Sequence, residues 1–265
     1  MKEKHIIALN STVLYVIAFL ITTIIHEFSH ALAGVINGSD PILYHNFVEH
    51  LSSSHLSTLQ KVSIALAGPI SSLIQGLLAG GLFLKFNKKT PLQLFLLWLA
   101  ILGFSNFLGY LMTGPLFQAG DIGKVYHLLA VPLSIQIILA VFGAAILLFI
   151  AYKLTVPFLQ FSYRQKWINN PQSRKNFSFR IIILPWIIGS TIITILYLPI
   201  IAIISIIYPI MSGMIFIFPW QNAQRINNVV LSENKKIGQL SIFMYLSLVV
   251  LVIVYRLFLA PGIRL

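Results

Sequence analysis

Apolar residues run through this chain in long stretches separated by short polar breaks. That pattern predicts membrane-crossing helices, since neither a 3.6-residue stripe nor strict alternation dominates. A helix needs about 20 apolar residues to cross a hydrocarbon core of about 30 Å. Stretches of that kind cover residues 10–36, 62–86, 92–113, 132–154 and 240–259. The first is too long and too late for the apolar region of a signal peptide, and it has no small-residue cleavage site. Residues 181–220 carry no charge. As one straight helix they would reach about 60 Å. Pro185, Pro199, Pro209 and Pro219 interrupt them, so two short segments, or one span with a re-entrant piece, are expected. The expectation is an all-α integral membrane protein, a polytopic bundle of six or seven transmembrane helices, with seven favoured.

The connections differ in character. Asn87-Lys88-Lys89-Thr90 reads as a tight basic turn, and residues 161–180 as a polar, basic connection with Asn169-Asn170-Pro171 as its turn signal. Residues 37–60 are rich in Ser and His. No repeat, low-complexity tract or separate soluble domain is visible.

Composition narrows the class further. Of 265 residues 58% are hydrophobic and 9% charged, where a soluble domain has about 45–50% and about 25%. A soluble enzyme, a disordered chain and a disulfide-stapled module are excluded. With no cysteine, no thiolate ligand is available. The net charge of +12 belongs to the question of which side of the bilayer holds the cations, and no nucleic-acid partner is expected.

The six acids carry the chemical signal: Glu3, Glu27, Asp40, Glu49, Asp121 and Glu233. Only Glu27 falls well inside a predicted span, in His26-Glu27-Phe28-Ser29-His30. A central charge in a transmembrane helix costs about 2.5–3.5 kcal/mol on insertion scales, so such residues face the bundle interior and mark function. His26 and His30 are one turn apart on one helix face and are suited to hold one Zn²⁺. Glu27 is placed to take a proton from water instead of ligating the metal. The competing reading is a buried polar cluster that pins helices together.

A tetrahedral catalytic site needs a third protein ligand. Asp121, Glu49, His45, His50, His55 and His127 are the candidates. Topology favours Asp121: the first and third spans run the same way, and His26 lies about 24 Å along the first, towards the side where the third ends. Otherwise Asp121 is a loop acid forming an Asx turn before Gly123. His45, His50 and His55 are five residues apart, a spacing that neither a helix face nor a strand face gathers. They lie on the same side as the motif, where one of them is suited to touch substrate or form part of a lid. His127 reads more simply as an interfacial histidine.

Three segments in order resemble the site-2 protease family of intramembrane zinc metalloproteases: His26 through Gly34, Ala65-Leu66-Ala67-Gly68-Pro69-Ile70-Ser71, and Asn106 through Asp121-Ile122-Gly123. The resemblance implies a three-helix catalytic core within residues 1–130, with residues 131–265 as accessory spans. It implies His26, His30 and Asp121 as zinc ligands and Glu27 as catalytic base. Gly68 and Pro69 would shape the second core helix beside the site, and Asn106 would hold substrate or pair helices. Two departures stand out: Ile122 separates Asp121 from Gly123, and Asn106 lies farther upstream of the Asp than the family's spacing. No inserted PDZ or CBS domain is present.

The implied reaction is metal-assisted hydrolysis of a peptide bond in or near a transmembrane segment of another membrane protein, with Glu27 passing the proton of water to the leaving amine. The substrate helix must unwind first, and residues 37–60 are placed to offer an edge strand to it. Two alternatives are a non-proteolytic membrane protein with a structural or sensory zinc site, and a transporter whose His/Glu cluster carries ions. The transporter reading fits poorly with later spans almost free of acids and histidines.

Orientation follows from the basic residues. Lys2, Lys4, Lys85, Lys88, Lys89, Lys153, Arg164, Lys166, Arg174, Lys175 and Arg180 fall on the side of the N-terminus, against Lys61 and Lys124 on the motif's side. The positive-inside rule then makes the N-terminus cytoplasmic, in the plasma membrane of a prokaryote, and opens the site to the extracytoplasmic face. The resemblance points the other way, since family members generally open to the cytosol.

Overall fold

The computed structural model describes residues 3–86, 88–198 and 204–265. In chain order the main elements are α1 (Glu3–Ile36), β1 (Pro41–Leu43), β2 (Val48–His50), α2 (Thr58–Lys85), α3 (Pro91–Thr113), α4 (Asp121–Leu128) and α5 (Leu133–Leu159). There follow α6 (Pro171–Ser178), α7 (Leu184–Leu196), α8 (Ile204–Met211), α9 (Ile217–Asn222), α10 (Ile242–Ile253) and β3 (Ile263–Arg264). A π-helical stretch, Phe179–Ile183, joins α6 and α7, and another, Val254–Leu259, extends α10.

Among the described residues six helices are long and apolar enough to cross a membrane: Glu3–Ile36, Thr58–Lys85, Pro91–Thr113, Leu133–Leu159, Pro171–Leu196 and Ile242–Leu259. The favoured seventh span is not found among them. After Leu196 the described residues include α8, eight residues or about 12 Å, less than a crossing needs; residues 199–203, with Pro199, lie outside the described residues. The fifth span also begins earlier than its apolar residues suggest. Asn170 caps α6 by accepting from the Ser173 backbone N–H at 2.8 Å, and Pro171 sits in the first turn. The expected turn signal is therefore a helix start, and the basic residues 171–180 are helical.

The chain divides into two compact units. The first comprises residues 1–19, 79–99 and 147–249. Its core is aromatic: Trp98 meets Tyr15 edge-on at 5.1 Å, Phe158 at 4.9 Å and Phe216 at 5.2 Å between ring centroids. Polar groups inside it are paired. The Trp98 indole donates to Ser11 Oγ at 3.1 Å, Ser11 donates to the Ile181 carbonyl at 2.8 Å, and Asn10 donates to the carbonyls of Ile237 and Gln239. In an apolar surround such bonds fix register, because an unpaired group there is costly.

The second unit comprises residues 20–78, 100–146 and 250–265 and holds the candidate site. In it α2 and α3 cross at glycines. A Cβ at Gly103 would stand 2.6 Å from the Ser72 carbonyl oxygen and 2.7 Å from the Gly76 nitrogen. Small residues allow this backbone approach, as is usual between membrane helices. Helix α4 packs on α2 through Val125, Val62 and Ala65. Within residues 37–60, β1 and β2 form a hairpin, closed by the Tyr44 N–H to Phe47 carbonyl bond at 3.0 Å. β3 pairs with the other edge of β1, giving the antiparallel order β2-β1-β3. This small sheet is an addition to the expected all-helical architecture.

Candidate metal centre

His26 and His30 lie one turn apart near the C-terminal end of α1, both buried, with ring centroids 4.7 Å apart. Their outer nitrogens are fixed by α2. The His30 Nδ1–H donates to the Ile64 carbonyl oxygen at 2.7 Å. A carbonyl only accepts, so Nδ1 carries the proton, and Nε2 of the neutral ring presents a lone pair. Ser72 Oγ donates to the Gly68 carbonyl at 3.1 Å and lies 3.1 Å from His26 Nδ1. With its own hydrogen committed, Ser72 accepts from Nδ1–H, and the His26 Nε2 is bare as well.

Asp121 completes the group from the first turn of α4. Its Oδ2 lies 2.9 Å from His26 Nε2 and 3.2 Å from His30 Nε2, and the two nitrogens are 3.1 Å apart. Two imidazole Nε2 atoms and a carboxylate oxygen thus converge, an arrangement able to hold a metal ion. Tetrahedral zinc with bonds of about 2.0–2.1 Å places its ligands about 3.3 Å apart, close to the three edges observed here. The donor set and its spacing fit Zn²⁺.

Three features open the space. A Cβ at Gly68 would stand 2.7 Å from His26 Nε2 and would collide with His30 Nε2, so α2 needs glycine where it faces both nitrogens. Pro69, inside α2, has no N–H to give the Ala65 carbonyl. A Cβ at Gly123 would collide with the Phe117 carbonyl oxygen, so this glycine lets the first turn of α4 close on the preceding loop and aim Asp121 inwards. Ile122, which separates the two, is buried.

Glu27 is half-buried and has no hydrogen-bond partner among the described residues. His26, His30 and Asp121 form the group able to hold a metal among the described residues. The other candidates lie elsewhere. His45 is buried in the hairpin, edge-on to Tyr255 with centroids 5.2 Å apart. His50 in β2 bonds Ser39 Oγ through Nδ1 at 2.8 Å, and burial and the Lys124 ammonium push its pKa down. His55 reaches the Gly38 carbonyl at 3.2 Å, Glu49 accepts from Tyr44 at 3.5 Å, and His127 is exposed on α4. Asn106 is buried in α3, one turn before Tyr110.

Sequence reasoning missed Tyr110, whose ring stacks on His26 at 5.3 Å and 7° between planes, and Ser72. Ser72 had a signal, one turn past Gly68 on α2. The Ile64 carbonyl had none. Comparison with protein-family models, curated proteins and solved structures finds no match to this chain.

Proposed function

We propose that this chain is an intramembrane zinc metalloprotease that hydrolyses a peptide bond in or near a transmembrane segment of another membrane protein. The observation that carries the reading is the convergence of His26 Nε2 and His30 Nε2, from a helix long and apolar enough to cross a membrane, with Asp121 Oδ2 of α4 within 3.2 Å, Glu27 being next to His26 in sequence. Zinc bound there supplies Lewis acidity to polarise the scissile carbonyl and to make a nearby water more acidic. Glu27, next in sequence to His26 and without a hydrogen-bond partner among the described residues, takes the proton of the attacking water and delivers it to the leaving amine. Tyr110, stacked on His26, holds that ring in its ligating plane. The N-terminus faces the cytoplasm by the distribution of Lys and Arg, and the site opens on the opposite side.

The test is a comparison of membrane proteomes from cells expressing wild type or Glu27→Gln at equal levels. The expected result is at least one single-span protein cut near its transmembrane segment only with the wild type. Identical membrane proteomes from the two, with zinc bound in both, would replace the protease with a structural or sensory zinc protein.

A further inference from the structure

The first unit contains a cavity of about 590 Å³ that the proposed hydrolysis does not use. Its walls come from α5, α6, α9 and the turn Ala223–Arg225. Lys175 and Arg225 line it, and neither has an ion-pair partner among the described residues. The two cations are held near each other by the buried Arg174, which donates to the carbonyls of Ala223 and Gln224 at 3.2 and 3.3 Å. One bond chain therefore ties the helix bearing Lys175 to the turn bearing Arg225.

The rest of the lining is amphipathic in a defined way. The Lys175 ammonium lies over the Trp220 ring, 4.9 Å from its centroid. Tyr152 adds a second aromatic ring with a polar tip, while Leu148 and Phe218 are 44% and 50% exposed and form an apolar wall. Tyr152 and Leu148 lie about 10 and 16 Å from the C-terminal end of α5, so the wall runs from the polar tip of Tyr152 towards the middle of that helix.

From this arrangement we infer that the cavity is a binding site for an anionic phospholipid. Its phosphate diester is held by Arg225 and Lys175, and its acyl chains lie along Leu148 and Phe218. Guanidinium and ammonium groups with nothing else to neutralise them match a phosphate, and basic pockets between membrane helices take such headgroups. The open apolar wall distinguishes a lipid from a free anion.

The test titrates the full chain in detergent with dihexanoyl phosphatidylglycerol, dihexanoyl phosphatidylcholine or inorganic phosphate, followed by calorimetry. Wild type should bind the phosphatidylglycerol tighter than the other two by about tenfold or more, given the worth of two interfacial cations. Lys175→Gln with Arg225→Gln should lose that preference with the melting temperature unchanged. An unaltered preference in the double variant would overturn the inference. Inorganic phosphate binding as tightly as the phosphatidylglycerol would also overturn it and assign the cations to a free anion.

Discussion

The Nδ1–H of His30 donates to the carbonyl oxygen of Ile64 at 2.7 Å, so a backbone atom of α2 decides which nitrogen of a residue on α1 faces the centre. Ser72 does the same for His26 at 3.1 Å. These outer bonds fix the orientation in which the two rings could hold a metal.

Ser72→Ala should leave the fold intact and release the His26 ring. Partners of this kind are worth about 10–100-fold in metal affinity. Competition with a zinc chelator on purified protein measures the change. Unchanged affinity would show that Tyr110 alone orients His26.

Gly68→Ala should abolish zinc binding, because its Cβ would enter the space facing both Nε2 atoms. Gly81→Ala, on the same helix with nothing within 4 Å of its Cβ, is the control. It should keep full zinc and gain about 0.5–1 kcal/mol from the better helix former. Zinc content and thermal melts of the two variants separate the local effect from a general one.

Glu27→Gln should retain zinc at the wild-type level while slowing hydrolysis by about 10²–10⁴, the worth of a general base. Metal content together with single-turnover cleavage of any identified substrate checks both halves. Loss of zinc in this variant would make Glu27 a ligand.

Arg174→Met should destabilise the first unit by about 1–3 kcal/mol or more, since the buried carbonyls it serves lose their donor. Arg174 is 5% exposed and also donates to the Ile168 carbonyl at 3.1 Å. Denaturant titration in detergent measures the loss.

Much of the membrane architecture is readable in the residues. Spans of uniform apolarity bounded by Lys, Pro and Gly need no partner to be recognised, and five of the six lie where hydrophobicity places them. The spacing of His26 and His30 is local, and Asp121 follows from the parallel course of two spans. The fifth span was partly hidden, because the Asn170 cap starts it through charged residues that read as a loop. The pairing of β3 with β1 joins Ile42 to Arg264, and a two-residue strand so far along the chain has no periodicity to announce it. The backbone acceptor at Ile64 and the stacking of Tyr110 on His26 depend on how helices pack, which no local pattern encodes.

The most direct measurement is zinc per chain in detergent-purified wild type and Asp121→Asn, at matched concentration after resupply of the metal. About one zinc in the wild type and markedly less in the variant are predicted, since two imidazoles alone leave a tetrahedral site one protein ligand short. Full zinc in Asp121→Asn would remove Asp121 from the site. No zinc in the wild type would leave a metal-free His/Asp cluster and contradict the metalloprotease reading.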